Sequence, residues 1–413
     1  MSARKPLMKS TFSRRGTVFL SAFFLMIYSL GTVFSAAAEP LPDHTARDLT
    51  TSCSFKASPA ETGTNSFRMM TDEKVKTCFV LGRKDSWLEI RSAEGIRGVS
   101  VMLMKKGMND DSYDLQVEDE AEGWKTIAQS RYLSNWHELD APAYHLRLLP
   151  TGGDRLRIAE IRLFGEGEKP DEIQDWQDTD KADLMLLACH PDDEVLWFAG
   201  LMPVYADRGY KVQLVMMTPM DGERQLELLQ CAWHCGMRYY PYFIGLKDVN
   251  GQKDLERQYR LWQGKEKVHS LVTECFRKFR PEVVVTHGEN GEYGHSAHKA
   301  TADSAKVCLK YAADNRMFPE SAEKYGVWQI KKLYLHEYDK DRVTMNWNRP
   351  LDSFGGKTGF DIAGEAFLYH LSQRVIGRYQ FKPVGDHDNT AFGLYYTNVG
   401  KDTGLNDFME NIR

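Results

Sequence analysis

Between Leu184 and Gly200 the chain reads LMLLACHPDDEVLWFAG, and its middle packs an imidazole and three carboxylates into His190-Pro191-Asp192-Asp193-Glu194. A His and an Asp three positions apart can both turn towards a single divalent ion, which leaves Asp192 over. A second chemical segment lies about a hundred residues on, at Gly294-His295-Ser296-Ala297-His298. Its two histidines sit three apart at the start of a helical stretch running to about Ala313, so His298 faces inward. His190, Asp193 and His298 make a two-His, one-carboxylate set that keeps one position open for water, as a catalytic zinc site requires. Such an ion lowers the pKa of bound water from 15.7 to about 7 and polarises a carbonyl. Asp192 is then free to take the water's proton, and His295 to protonate a leaving nitrogen or steady an oxyanion. Taken alone, His-Pro-Asp-Asp also fits a plain helix N-terminus with Pro in the first turn and an Asp cap, and Glu194 suits the helix dipole.

These residues need a frame that brings them together. Leu184 to Cys189 is a short apolar run of the kind buried on both faces of a parallel sheet, and Pro191 ends it. Lys211 to Met217 is a second buried run. A helix over Arg224–Cys235 closed by Gly236, a helix over Val268–Arg280 ending before Pro281, and a strand over Val283–Thr286 follow. The alternation predicts a parallel sheet with right-handed crossovers, and both chemical segments then open at its carboxyl edge. Further on come a strand at Leu333-Tyr334-Leu335 and a helix from Asp361 to Tyr379. His336, His370 and His387 also fall there, and the sequence gives them no role.

HPDDE, together with RPEVVVTHGENGEYGHSAHKA from Arg280 to Ala300, resembles the PIG-L/LmbE family of zinc-dependent N-deacetylases, enzymes that remove acetyl from N-acetylglucosamine groups. The resemblance covers Asp183 to about Ala313. It implies zinc on His190, Asp193 and His298, Asp192 as general base, His295 as acid or charge stabiliser, and Tyr293 helping to polarise the carbonyl. A looser match, Arg224-Gln225-Leu226-Glu227 followed by Cys231-Ala232 and Cys235-Gly236, is similar to the family's Arg-x-x-Glu helix, whose Arg contacts the sugar. Arg224 equally suits an ion pair with Glu227 along one helix face. The implied cofactor is Zn2+, with Fe2+ or another divalent ion as alternatives for these ligand types. The implied function is deacetylation of an N-acetylated amino sugar or glycan. The alternative is a non-catalytic glycan-binding protein whose metal props up a sugar pocket. A non-haem Fe(II) oxygenase uses the same ligand types but has no role for Asp192.

At 413 residues the chain exceeds what one core usually serves, and its net charge of −5 lacks the basic footprint of a nucleic-acid partner. Residues 1–38 have the layout of a secretory signal peptide. Arg4, Lys5, Lys9, Arg14 and Arg15 precede an apolar stretch from Val18 to Phe34, and Ala36-Ala37-Ala38 supplies a cleavage site. The expectation is a secreted or periplasmic protein without a stable membrane anchor after cleavage. In that oxidising setting Cys53 and Cys78 can close one disulfide, while Cys189, Cys231, Cys235, Cys275 and Cys308 read as buried thiols without a metal role.

Residues 44–166 alternate with period two, broken at turns such as Gly107–Asp110 and Thr151–Asp154, which predicts an antiparallel sandwich or barrel. The WLEI strand, the Gly123-Trp124 turn and the closing AEIRLFG resemble a discoidin-like (coagulation-factor type C) jelly roll. Trp87 and Trp124 read as packing residues, and Trp136 and His137 as the better candidates for an exposed contact. Residues 167–182 read as a polar linker, and residues 183–413 as an α/β domain with a Rossmann-like, mostly parallel sheet and flanking helices. The sequence does not specify an oligomeric state.

Overall fold

The computed structural model describes residues 44–412 except 59–65, 83–84, 105–110, 120, 122, 153–154, 250, 252 and 375–386. The expected signal segment, the Gly107–Asp110 break and Gly153-Asp154 lie outside the described residues.

The period-two runs become strands β1 (Ser54–Ser58), β2 (Phe79–Leu81), β3 (Trp87–Leu103), β4 (Ser112–Asp119), β5 (Gly123–Gln129), β6 (Ser134–Gly152) and β7 (Leu156–Phe164). They pair antiparallel in the order β2-β7-β3-β6-β4-β5, with β1 on β3. β3 has 17 residues and β6 has 19, too many for one flat layer. Their pairing shifts register between Arg91 and Gly98, and β3 trades β1 for β7 along its length. Such irregularities bend strands, and here the sheet packs on its own core of Leu88, Ile90, Val99, Val101, Leu146, Leu148 and Ile161.

Trp136 and His137, the better candidates for an exposed contact, are packed instead. His137 is buried with its Nε2 2.8 Å from the Tyr113 hydroxyl. Trp136 packs edge-on to Phe164 and fills the slot left by Gly98, where any Cβ would meet the indole. The expected disulfide is also absent: no bond joins Cys53 to Cys78, and the Cys53 thiol is half-buried against this core instead. Residues 167–182, read as a polar linker, contain buried side chains. Ile173, Gln174 and Trp176 are buried, and Trp176 stands edge-on to Trp233 at 5.2 Å, so apolar side chains scattered among the acids dock the segment.

One β7 carboxyl gives this region a pH dependence. Burial pushes Glu160 up to about 8 from 4.5; the Glu73 amide hydrogen bond at 3.0 Å and Arg162 oppose that rise, and Asp72 and Glu73 add to it. Between those values the folded chain keeps a proton that the unfolded chain releases. Stability should therefore fall as pH rises from about 4.5 to about 8, by at most about 1.4 kcal/mol per pH unit. Glu160→Gln should flatten that slope in denaturant melts at pH 5 and pH 8, and equal slopes for both proteins would contradict the assignment.

The second sheet contains β8 (Leu184–Ala188), β9 (Val212–Met216), β10 (Tyr242–Phe243), β11 (Val283–Thr286), β12 (Lys332–His336), β13 (Arg342–Thr344) and β14 (Ala391–Thr397). Its order is β10-β9-β8-β11-β12-β14-β13; the first five are parallel, and β14 is antiparallel to both neighbours. The helices are α1 (Asp193–Leu196), α2 (Leu201–Asp207), α3 (Gly222–His234), α4 (Leu255–Leu261), α5 (Lys265–Phe279), α6 (Ser296–Ala313), α7 (Pro319–Tyr325), α8 (Gly359–Phe367) and α9 (Leu371–Arg374). β8 is apolar throughout because both its faces are covered. Leu184, Leu186 and Ala188 join one core, while Met185 and Leu187 join the other. After β8 the chain winds outward through β9 and β10, then returns to lay β11 on the other side of β8. The β8–β11 boundary is thus the switch point where open α/β sheets leave a crevice. No helix among the described residues is long and apolar enough to cross a membrane.

Candidate metal centre and active site

Both chemical segments leave adjacent strands at that switch point, which closes the sequence gap between them. The His190 Nδ1 and His298 Nε2 atoms lie 3.1 Å apart. Asp193 Oδ2 accepts the His190 backbone N–H at 2.7 Å and lies 3.2 Å from His190 Nδ1 and 3.4 Å from His298 Nε2. All three side chains are buried. Their ligand atoms, with the Cys189 thiol, fall within 4.8 Å of one another.

The atoms facing away from this focus are each engaged. His298 Nδ1 donates to Glu292 Oε2 at 2.6 Å, so its Nε2 lone pair is bare. The Trp197 indole N–H donates to Asp193 Oδ1 at 2.8 Å, leaving Oδ2 inward. His190 Nε2 pairs with Asp248 Oδ1 at 3.2 Å. Ligand-type atoms therefore converge on one point while carboxylates and an indole fix their orientation from behind, an arrangement that suits a divalent cation. Burial disfavours charge on Asp193, but His298, His287 and His190 around it hold its carboxyl well below the usual range. Burial also lowers His298, in the direction a neutral ligand needs. Trp197→Phe keeps the ring and deletes the N–H; it should weaken zinc affinity by roughly 10- to 100-fold in a chelator competition. Unchanged affinity would remove Trp197 from that role.

Asp192 is 6% exposed, and its Oδ2 lies 3.0 Å from Arg224 Nη2. It is the N-cap of α1 but makes no side-chain capping bond, so the plain-helix reading of His-Pro-Asp-Asp is not what forms. Burial raises its carboxyl to about 7 against the pull of Arg224. Arg224 also donates to the Pro191 carbonyl. It does not pair with Glu227, which is fully buried and binds Ser372 instead. Glu194 is not a solvated dipole partner: it is fully buried and bonded to His370 at 2.6 Å.

His295 is the N-cap of α6, its Nδ1 accepting the Ala297 N–H at 3.3 Å. Burial and the neighbouring His298 and His190 lower it to about 4. An Nδ1 that accepts leaves the proton on Nε2, so His295 presents one N–H donor. Its ring stands edge-on to His190 at 4.9 Å. Tyr293 is 46% exposed at the rim, with ring contacts to Trp197, His295 and His298 at 5.6–5.8 Å.

Several participants escape a sequence reading. Glu292 is a buried hub that accepts from His287 and His298 on Oε2 and from His336 and the Gly288 amide on Oε1. Burial opposes its charge, yet those histidines hold it well below the usual range. His287 stacks on His298 at 4.1 Å, and its Nε2 receives the Cys189 N–H. Two signals were available: Trp197 stands one helical turn after Asp193, and Asp248 and His336 lie at or just beyond the carboxyl ends of parallel strands.

Residues 185–309 match the family model described as PIG-L: GlcNAc-PI de-N-acetylase. Over this segment the chain is similar to PIG-L domains. It contains His190, Asp192, Asp193, Arg224, Tyr293, His295 and His298. Among curated relatives, the 1D-myo-inositol 2-acetamido-2-deoxy-alpha-D-glucopyranoside deacetylase 1 of Catenulispora acidiphila is 27% identical over 178 residues, 37% of this chain and 54% of that protein. The mycothiol S-conjugate amidase of Streptomyces coelicolor is 28% identical over 187 residues, 38% of this chain and 62% of that protein. The chain thus spans less than two thirds of either relative. Among solved structures, the N,N'-diacetylchitobiose deacetylase from Pyrococcus horikoshii aligns with 18% identity and a TM-score of 0.36, over 46% of this chain and 71% of that one. The matched segment therefore contains the whole candidate constellation except the flanking His336 and His370.

Proposed function

We propose that the protein is an exported, zinc-dependent hydrolase that removes acetyl from an N-acetylated amino sugar of the N-acetylglucosamine type. The observation that carries this reading is the convergence of His190 Nδ1, Asp193 Oδ2 and His298 Nε2 on one point, with the buried carboxylate of Asp192 beside them. The printed activities of the two curated relatives, a deacetylase and an amidase, support the same reaction class.

His190, Asp193 and His298 would hold the ion. When bound, zinc polarises a carbonyl and makes water acidic near neutral pH. Asp192, kept in place by Arg224, takes the proton of the attacking water as oxygen bonds to the acetyl carbon. The Nε2–H of His295 donates to the carbonyl oxygen as it gains charge, and Tyr293 adds a hydroxyl at the rim. His295 with a single ring proton serves better as this donor than as the acid, so Asp192 returns the proton to nitrogen as the carbon–nitrogen bond breaks. The products are acetate and a free amine. The antiparallel sheet of residues 44–166 would be a discoidin-like jelly roll carried beside the catalytic unit, and residues 1–38 the export signal.

Acetate release from N,N'-diacetylchitobiose by metal-free and zinc-reconstituted protein tests this. Release only after reconstitution is expected. No release from this or any other acetamido sugar at full zinc occupancy would overturn it.

A further inference from the structure

We propose that Glu194 and His370 are positioning residues that set the backbone of Asp192; this rests on Asp192 acting as the base. Asp192 has φ 128°, a conformation that L side chains rarely adopt, in a stretch where every residue from Leu184 to Val195 is buried. Non-glycine residues stay in such conformations only where their surroundings over-determine them, and the habit concentrates at active sites.

The surroundings here are specific. The Asp192 amide N–H donates to Glu194 Oε2 at 2.8 Å, and His370 Nε2 lies 2.6 Å from Glu194 Oε1. Glu194 and His370 are both 0% exposed. A buried carboxyl group costs free energy unless its oxygens are hydrogen-bonded, so His370 is what lets Glu194 hold the peptide plane ahead of Asp192. The segment carrying His370 is itself pinned one step further: Glu227 of α3, fully buried, accepts the Ser372 N–H at 2.7 Å and its hydroxyl at 2.6 Å. Arg224, from the same helix, grips the Asp192 carboxylate and the Pro191 carbonyl. The base is thus held from the backbone side by Glu194 and from the side-chain side by Arg224.

Glu194, His370 and Cys231 also bring three metal-ligating atoms within 4.8 Å of one another. Both Glu194 oxygens are already used, one by His370 and one by the Asp192 amide, which favours positioning over a second metal site.

Zinc-loaded full-length protein and N,N'-diacetylchitobiose provide the test. Glu194→Met and His370→Leu should each lower kcat by roughly 10²-fold, the low end of what a general base contributes. KM should stay within about twofold and zinc affinity within about threefold. Glu194→Gln and His370→Gln, which keep an acceptor and a donor in place, should restore most of the rate. In an Asp192→Asn background, Glu194→Met and His370→Leu should cost little more, since residues acting through one group are not additive. If either variant fails to fold, the other and the two Gln variants carry the same comparison. Wild-type kcat in both variants, loss confined to KM or to zinc binding, no rescue by Gln, full additivity with Asp192→Asn, or a second zinc bound at Cys231 would each overturn the proposal. A wild-type protein that releases no acetate would overturn the deacetylase reading instead.

Discussion

Replacing Asp192 with asparagine should lower kcat by roughly 10²- to 10⁴-fold, the range a positioned base contributes. Asparagine keeps the shape and can still accept from Arg224, whose Nη2 lies 3.0 Å from the native carboxylate. It cannot take a proton. Zinc binding should survive, because none of the three converging ligand atoms belongs to this residue. Steady-state kinetics with parallel zinc titration separate the two properties. Turnover within about threefold of wild type would mean that the proton goes elsewhere, and lost zinc would mean that Asp192 is part of the metal's own shell.

The second large effect concerns the cation. His298→Ala should abolish stoichiometric zinc binding and lower activity by roughly 10³-fold or more, since a bound ion contributes several kcal/mol of charge stabilisation in the transition state. The loss should exceed that for either orienting partner, because Glu292 and Trp197 act through ligands rather than as ligands. Chelation of the wild-type protein should reproduce the defect, and added zinc should reverse it in the wild type alone. A His298→Ala protein that still binds one zinc tightly and turns over would remove this residue from the centre.

The convergence of His190, Asp193 and His298 was legible because these residue types at this spacing leave a dense local signature. His190-Pro191-Asp192-Asp193 follows an all-apolar strand, and His298 stands one helical turn into α6. Strand runs such as Leu184–Ala188 and Val283–Thr286 were equally plain, since burial on both faces leaves no polar positions. The supporting groups were not legible, for a physical reason. Glu292, Asp248, His336 and His370 touch the site from four separate segments, and nothing local separates a carboxylate that orients an imidazole from one in water. Arg224 shows the same limit: the sequence offered a sugar contact or an on-helix pair, and the fold turns it onto Asp192. In residues 167–182 composition shows the acids but not the docking, which Ile173 and Trp176 carry. The packing of Trp136 was not legible locally because its pocket is made by the missing side chain of Gly98 on a neighbouring strand.

Anomalous diffraction at the zinc edge from crystals of the zinc-loaded protein reaches the shared cation most directly. The predicted result is a single zinc bonded at about 2.0–2.2 Å by His190 Nδ1, Asp193 Oδ2 and His298 Nε2, with Trp197 still on Asp193 Oδ1. Zinc found instead among Glu194, Cys231 and His370, or bound with His190 and His298 apart, would contradict the account.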